Sequence, residues 1–116
     1  MNVCGTSVGL LTFESLDHRF CKNLITKGSG LPAEKEIVLG VLDGQRSITL
    51  TLMTNDSANL RVEAEDCIKS TDVDLPLPEG VSCANLVKIL FRMSEENKLE
   101  IEYSCMGVLG IKAVNL

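Results

Sequence analysis

Apolar residues recur at every second position through three stretches of the chain. Ile48, Leu50 and Leu52 alternate with Thr49 and Thr51. Val87, Ile89, Phe91 and Met93 alternate with Lys88 and Arg92, interrupted only by Leu90, and Leu99, Ile101 and Tyr103 alternate with Glu100 and Glu102. A period of two turns one set of side chains to a core and the other to water, which is the pattern of half-buried strands. Thr, Val and Ile also suit a pleated surface. Between and beyond these runs stand "KGSGLP", "LDGQ", "TNDSAN", "LPLPEG", "EENK" and "MGVLG", each holding the Gly, Pro, Asn or Asp that turns require. Asn97 in "EENK" is placed for the left-handed position of a tight hairpin, which Asn tolerates. No helical pattern of any length occurs, and the best candidate, Ala64–Ser70, is short. The pattern predicts an all-β fold, an antiparallel β-sandwich of about eight strands.

Length and composition fit one domain over 1–116 with a core of its own, since apolar residues make up 45% of 116 positions. Trp is absent and the aromatics are Phe13, Phe20, Phe91 and Tyr103, so Val, Ile and Leu must fill that core. The net charge of −5, with Lys and Arg scattered singly, argues against a nucleic-acid partner. No run of about 18 apolar residues predicts a membrane span, and "MNVCGTSVGLLTF" lacks the pattern of a secretory signal. Cys4, Cys21, Cys67, Cys83 and Cys105 are odd in number and show no C-x-x-C spacing. They predict reduced thiols in a cytoplasmic protein, with neither a zinc site nor a disulfide framework.

Candidate chemistry is sparse. His18 stands three residues before Cys21, and a Cys–His pair can build a nucleophile. Such a site also needs an orienting group and an oxyanion hole, which proximity in sequence does not provide. His18 is the only histidine, so a metal site is not expected either. The carboxylate pairs Glu34/Glu36, Asp72/Asp74, Glu95/Glu96 and Glu100/Glu102 fall in turns or on polar strand faces, where they read as solvated surface. "KGSG" at 27–30 lacks phosphate-loop spacing, and "LPLP" at 75–78 reads as a rigid inter-strand loop. No catalytic constellation is expected.

The segment 23–52, "NLITKGSGLPAEKEIVLGVLDGQRSITLTL", resembles the heart of the substrate-binding β-domain of the heat-shock 70 kDa chaperones, the DnaK family. That family carries a "T-L-I-x-(K/R)-N-x-x-I-P" segment, a strand, a "D-N-Q" turn and a strand of "V-x-I-x-V" type. Here 24–32, 43–45 and 48–52 stand in the same order. "SVGLLTF" is similar to the family's opening strand, "LPLPEG" to its "P-P-A-P-x-G" loop, "VKILFRMSEENKLEIEY" to its late hairpin and "GIKAVNL" to its last strand. The departures are a longer first loop, "ESLDHRFCK", without the family's Gly pair, a shorter "LDGQ" turn, Leu42 in place of a small residue, and Asn97 in place of Gly.

The resemblance implies a sandwich that binds extended, apolar segments of unfolded polypeptide. Leu10, Thr12 and Phe13 would lie on the first strand and its loop entry, with Phe13 and Leu42 forming an arch over the bound backbone. Leu39, Ile48 and Leu50 would line a central pocket. Gly40, Leu42, Gln45 and Ser47 would sit where backbone hydrogen bonds to the peptide are made. It further implies that this chain holds no cofactor and is not itself an enzyme. ATP would serve a nucleotide-binding domain outside it, co-chaperones would act through the full-length stress-response protein, and neither nucleic acid nor membrane would be a partner. The other class of function is a structural or assembly sandwich with a closed groove and one fixed protein partner.

Overall fold

Strands form wherever the alternation runs, and in several places where it does not. The computed structural model describes residues 3–15 and 18–114, without the side chains of 13–15. Among them are β1 (Ser7–Ser15), β2 (His18–Ile25), β3 (Ala33–Gly40), β4 (Ser47–Asn55), β5 (Arg61–Glu63), β6 (Lys69–Pro76), β7 (Leu86–Met93), β8 (Leu99–Cys105) and β9 (Val108–Val114). The fold is all-β, as the pattern predicts, with nine strands rather than about eight and a single 3-10 turn at Ala64–Asp66 within the stretch that looked most helical. All pairings among the described residues are antiparallel.

The strands make two sheets, one of five in the order β5-β2-β1-β4-β6 and one of four in the order β3-β7-β8-β9. Their inner faces supply the core. Val8, Ile25, Ile48, Leu50, Leu52, Val73 and Leu75 come from the first sheet, and Val87, Ile89, Phe91, Met93, Leu99 and Ile101 from the second. Register explains the polar alternates. Thr49 and Thr51 face outward on β4 opposite Asp74 and Asp72 of β6, and their hydroxyls donate to those carboxylates at 2.6 and 2.8 Å. On the outside of the second sheet Arg92 reaches Glu34 at 3.2 Å, Glu102 at 3.5 Å and Glu100 at 3.6 Å. The paired carboxylates named above are thus outer-face residues on β3, β6 and β8, while Glu95 and Glu96 lie in the β7–β8 turn. In that turn Asn97 has φ 60°, the left-handed conformation expected of it.

The five-stranded sheet is less uniform than its strand order suggests. β1 pairs with β2 along its length, from Val8↔Ile25 to Ser15↔His18. It pairs with β4 only from Ser7↔Asn55 to Leu10↔Leu52. β4 meanwhile continues to pair with β6 out to Ser47↔Pro76. The sheet therefore consists of two parts, β5-β2-β1 and β4-β6, joined by four residue pairs at one end.

Candidate functional site

Beyond Leu10, β1 and β4 run side by side in the strand order without pairing among the described residues. Leu11–Ser15 of one and Ser47–Thr51 of the other thus carry backbone edges that are not paired with each other. Such edges are either hydrated or available to an added strand. The β3–β4 loop lies at this same end, because Gly40 pairs with Leu86 and Ser47 with Pro76.

The residues expected at a peptide groove are divided between the two sheets, Leu10, Thr12, Phe13, Ile48 and Leu50 on β1 and β4 and Leu39 and Gly40 on β3 of the other sheet. Leu10 and Leu39 pack half-buried against the core. Thr12 is half-buried, with its hydroxyl donating to the Leu10 carbonyl at 3.2 Å. Ile48 and Leu50 are only 8% and 4% exposed, so they belong to the core beneath the parting rather than to its walls. Gly40 ends β3 and is exposed. Leu42, at 75% exposure, stands clear of the body, while Val41 beside it is buried. Phe13 is a β1 residue paired with Arg19, and its side chain, the other half of the expected arch, lies outside the described residues.

The loop bearing Leu42 is firmly tied. The Gln45 carboxamide accepts from the Leu42 N–H at 2.9 Å and donates to the Ser47 carbonyl at 2.8 Å. Two backbone groups expected to serve a peptide are therefore occupied by Gln45 itself. Gly44 N–H donates to the Val81 carbonyl at 2.8 Å, and Asp43 accepts from Cys83 N–H at 2.6 Å. These bonds fasten the β3–β4 loop to the β6–β7 loop. A cleft of about 430 Å³ runs between the two, lined by Gln45, Arg46, Leu77, Pro78 and Glu79 with Gly44 and Gly80.

His18 and Cys21 are not brought together as a nucleophilic pair. Three positions apart on one strand, they point to opposite faces. His18 Nε2 lies 2.9 Å from Glu63 Oε2, whereas Cys21 is fully buried among asparagines. Burial first, and then the neighbouring Cys67 thiol, push the Cys21 thiol up to about 12. It is held as a thiol at neutral pH, with no histidine beside it to activate it as the nucleophile of a hydrolase. Among the described residues no group of three or more His, Cys, Asp or Glu side chains is placed to hold a metal.

A buried polar network is the part that the sequence did not announce. It occupies the outside of the five-stranded sheet, beneath the excursion 56–68 that links β4 to β6. Asn23 and Asn55 exchange carboxamide hydrogen bonds at 2.9 and 3.2 Å. Asn23 Nδ2 also donates to the carbonyls of Ser57 and Asn59, and Ser57 N–H donates to Asn55 Oδ1. Asn23 looks like an interruption in an apolar strand and Asn55 like part of a turn. Only their long-range meeting gives them a role.

No protein-family model matches the chain, and no curated protein is significantly similar to it. Among the described residues no helix is long and apolar enough to cross a membrane.

Proposed function

We propose that this domain captures an extended, apolar stretch of unfolded polypeptide in the parting between β1 and β4, in the manner of the heat-shock 70 kDa chaperones that its motifs resemble. The observation that carries the reading is the early end of the β1–β4 ladder at Leu10↔Leu52, with Leu10 and Thr12 half-buried on β1 beside it. An added strand there satisfies its backbone against two protein edges whatever its side chains. One Leu-sized side chain laid into the parting against Leu10 contributes up to roughly 1.5–3 kcal/mol. Several backbone hydrogen bonds add about 1 kcal/mol each, and ordering the client offsets a comparable sum. That arithmetic permits affinities near micromolar, about −8 kcal/mol. Five free cysteines fit a cytoplasmic setting.

Fluorescence anisotropy with a labelled Leu-rich heptapeptide tests the reading. The expected result is saturable binding in the micromolar range, weakened about tenfold or more by Thr12→Trp, which fills the parting, and by Leu42→Asp, which removes an apolar rim. Thermal melts of both variants should match the parent. Absence of binding to apolar peptides at about 100 μM, or indifference to Thr12→Trp, refutes it. Tight binding of one folded protein with indifference to peptides would support the assembly reading instead.

A further inference from the structure

Cys21 and Cys67 are far apart in sequence and meet in the buried network. Asn55 Nδ2 donates to both sulfurs, to Cys21 at 3.7 Å and to Cys67 at 3.9 Å. Cys21 sits on β2 and is fully buried, whereas Cys67 ends the 3-10 turn of the excursion and is half-exposed. One carboxamide thus holds an inner and an outer thiol side by side, with the outer one facing the surface.

From this geometry we infer that Cys21 and Cys67 form a redox site, closing to a disulfide when the outer thiol meets a peroxide. Cys67 reacts first because it is the accessible member. Its sulfur takes one oxygen from hydrogen peroxide to become a sulfenic acid, and one water leaves. The Cys21 sulfur then attacks the Cys67 sulfur. The S–S bond forms as the S–O bond breaks, and the hydroxide leaves as a second water with the Cys21 proton. Two thiols lose two protons and two electrons, and one peroxide becomes two waters. The high proton affinity of Cys21 makes the second step the slow one, faster as pH rises. The cross-link fastens the excursion and its short strand β5 to β2, next to the four residue pairs that join the two parts of the sheet.

The test uses the full chain carrying Cys83→Ser, which removes the exposed thiol. After peroxide treatment and alkylation under native conditions, non-reducing peptide mapping should recover a Cys21–Cys67 linked peptide and a mass loss of two hydrogens. A dithiol should reverse both. Cys67→Ser should abolish the link and leave Cys21 as a free thiol. Recovery of Cys67 as a sulfinic or sulfonic acid with Cys21 unoxidised overturns the inference, as does a link that forms only in denaturant. The mapping of the Cys83→Ser chain decides the matter even where Cys67→Ser folds poorly.

Discussion

Replacing Gly9 by Ala tests the outer-face network more sharply than any change within it. Gly9 stands at the register shift between β1 and β2, opposite Asn23. A Cβ there would lie 2.8 Å from Asn23 Oδ1 and 2.8 Å from the Lys22 carbonyl, and closer still to Cys21 Sγ. A glycine inside a strand often marks such a close approach. None of the three neighbours can retreat easily. The Lys22 oxygen is backbone, Cys21 is fully buried, and Asn23 is held by Asn55, Ser57 and Asn59. Overpacking of this kind costs about 1–3 kcal/mol. Displacing Asn23 so that one buried partner is left unmatched adds about 1–3 kcal/mol. The lower entropy cost of ordering Ala returns roughly 0.5–1 kcal/mol. The expected net loss is about 2–4 kcal/mol, read as a fall of about 4 °C in Tm for each kcal/mol in a domain of this size. Urea unfolding of the parent, Gly9→Ala, Cys21→Ala and the double variant measures both the loss and the coupling. The double variant should recover about 1 kcal/mol or more relative to the sum of the singles, because removing the sulfur removes the nearest clash. A Gly9→Ala protein as stable as its parent, or more so, refutes the packing described for this face.

Three further outcomes are expected. Phe91→Ala, at the largest fully buried side chain, should cost about 3–5 kcal/mol in urea unfolding without changing the strand signature of the circular dichroism spectrum. Stability should fall above pH 9, because the Cys21 thiol keeps its proton to about 12 when folded and releases it near its ordinary value of 9.0 when unfolded. The contribution is complete below pH 9 and is lost progressively toward pH 12, with a slope of at most about 1.4 kcal/mol per pH unit that Cys21→Ala should flatten. Ile111→Lys, on an edge strand where Leu109 and Ile111 are 71% and 61% exposed, should reduce self-association in sedimentation at high concentration and change stability by less than about 0.5 kcal/mol.

The strands that alternate cleanly were legible because each buries one face and hydrates the other. β4, β7 and β8 do this, and their apolar sets are the core. Leu90, the interruption in β7, proves to be a half-buried outer-face residue opposite Glu36 and Glu102. β9 was harder. Its first residues lie in "MGVLG", which reads as a turn, because Val108, Leu109 and Ile111 are exposed on this edge strand and only Val114 at its end is buried, too little to impose a pattern. β6 likewise runs on through Leu75 and Pro76, half of the "LPLP" expected as loop, since a proline is tolerated where the strand lies at a sheet edge. β5 spans three residues and owes its existence to its partner β2. At the candidate site the sequence pointed to Ile48 and Leu50 as pocket walls, but their alternation is that of core residues, and both are buried in the core. The sequence could not indicate that Gln45 would turn inward on the backbone groups of Leu42 and Ser47, because that depends on the closed geometry of the loop.

The two uncommon features of the five-stranded sheet are physically connected. A sheet that stops pairing halfway along two neighbouring strands gives up ladder hydrogen bonds, and what remains of the seam must resist shear and rotation between its parts. The polar network crosses the seam where pairing survives. Thr6 donates to the Asn55 carbonyl, Ser7 donates to the Ser57 carbonyl and accepts from Lys27 N–H, and Asn23 of β2 grips Asn55 of β4 across β1. Among the described residues every fully buried side-chain polar atom has a partner, so the network does not carry the penalty of an unmatched group. Apolar packing alone would hold the parts together but leave their register and angle loosely set, because it is not directional. Directional amide bonds fix both. The asparagines thus lock by polar contacts the end of the sheet at which β1 and β4 pair, where apolar packing alone would leave the angle between the two parts loosely set.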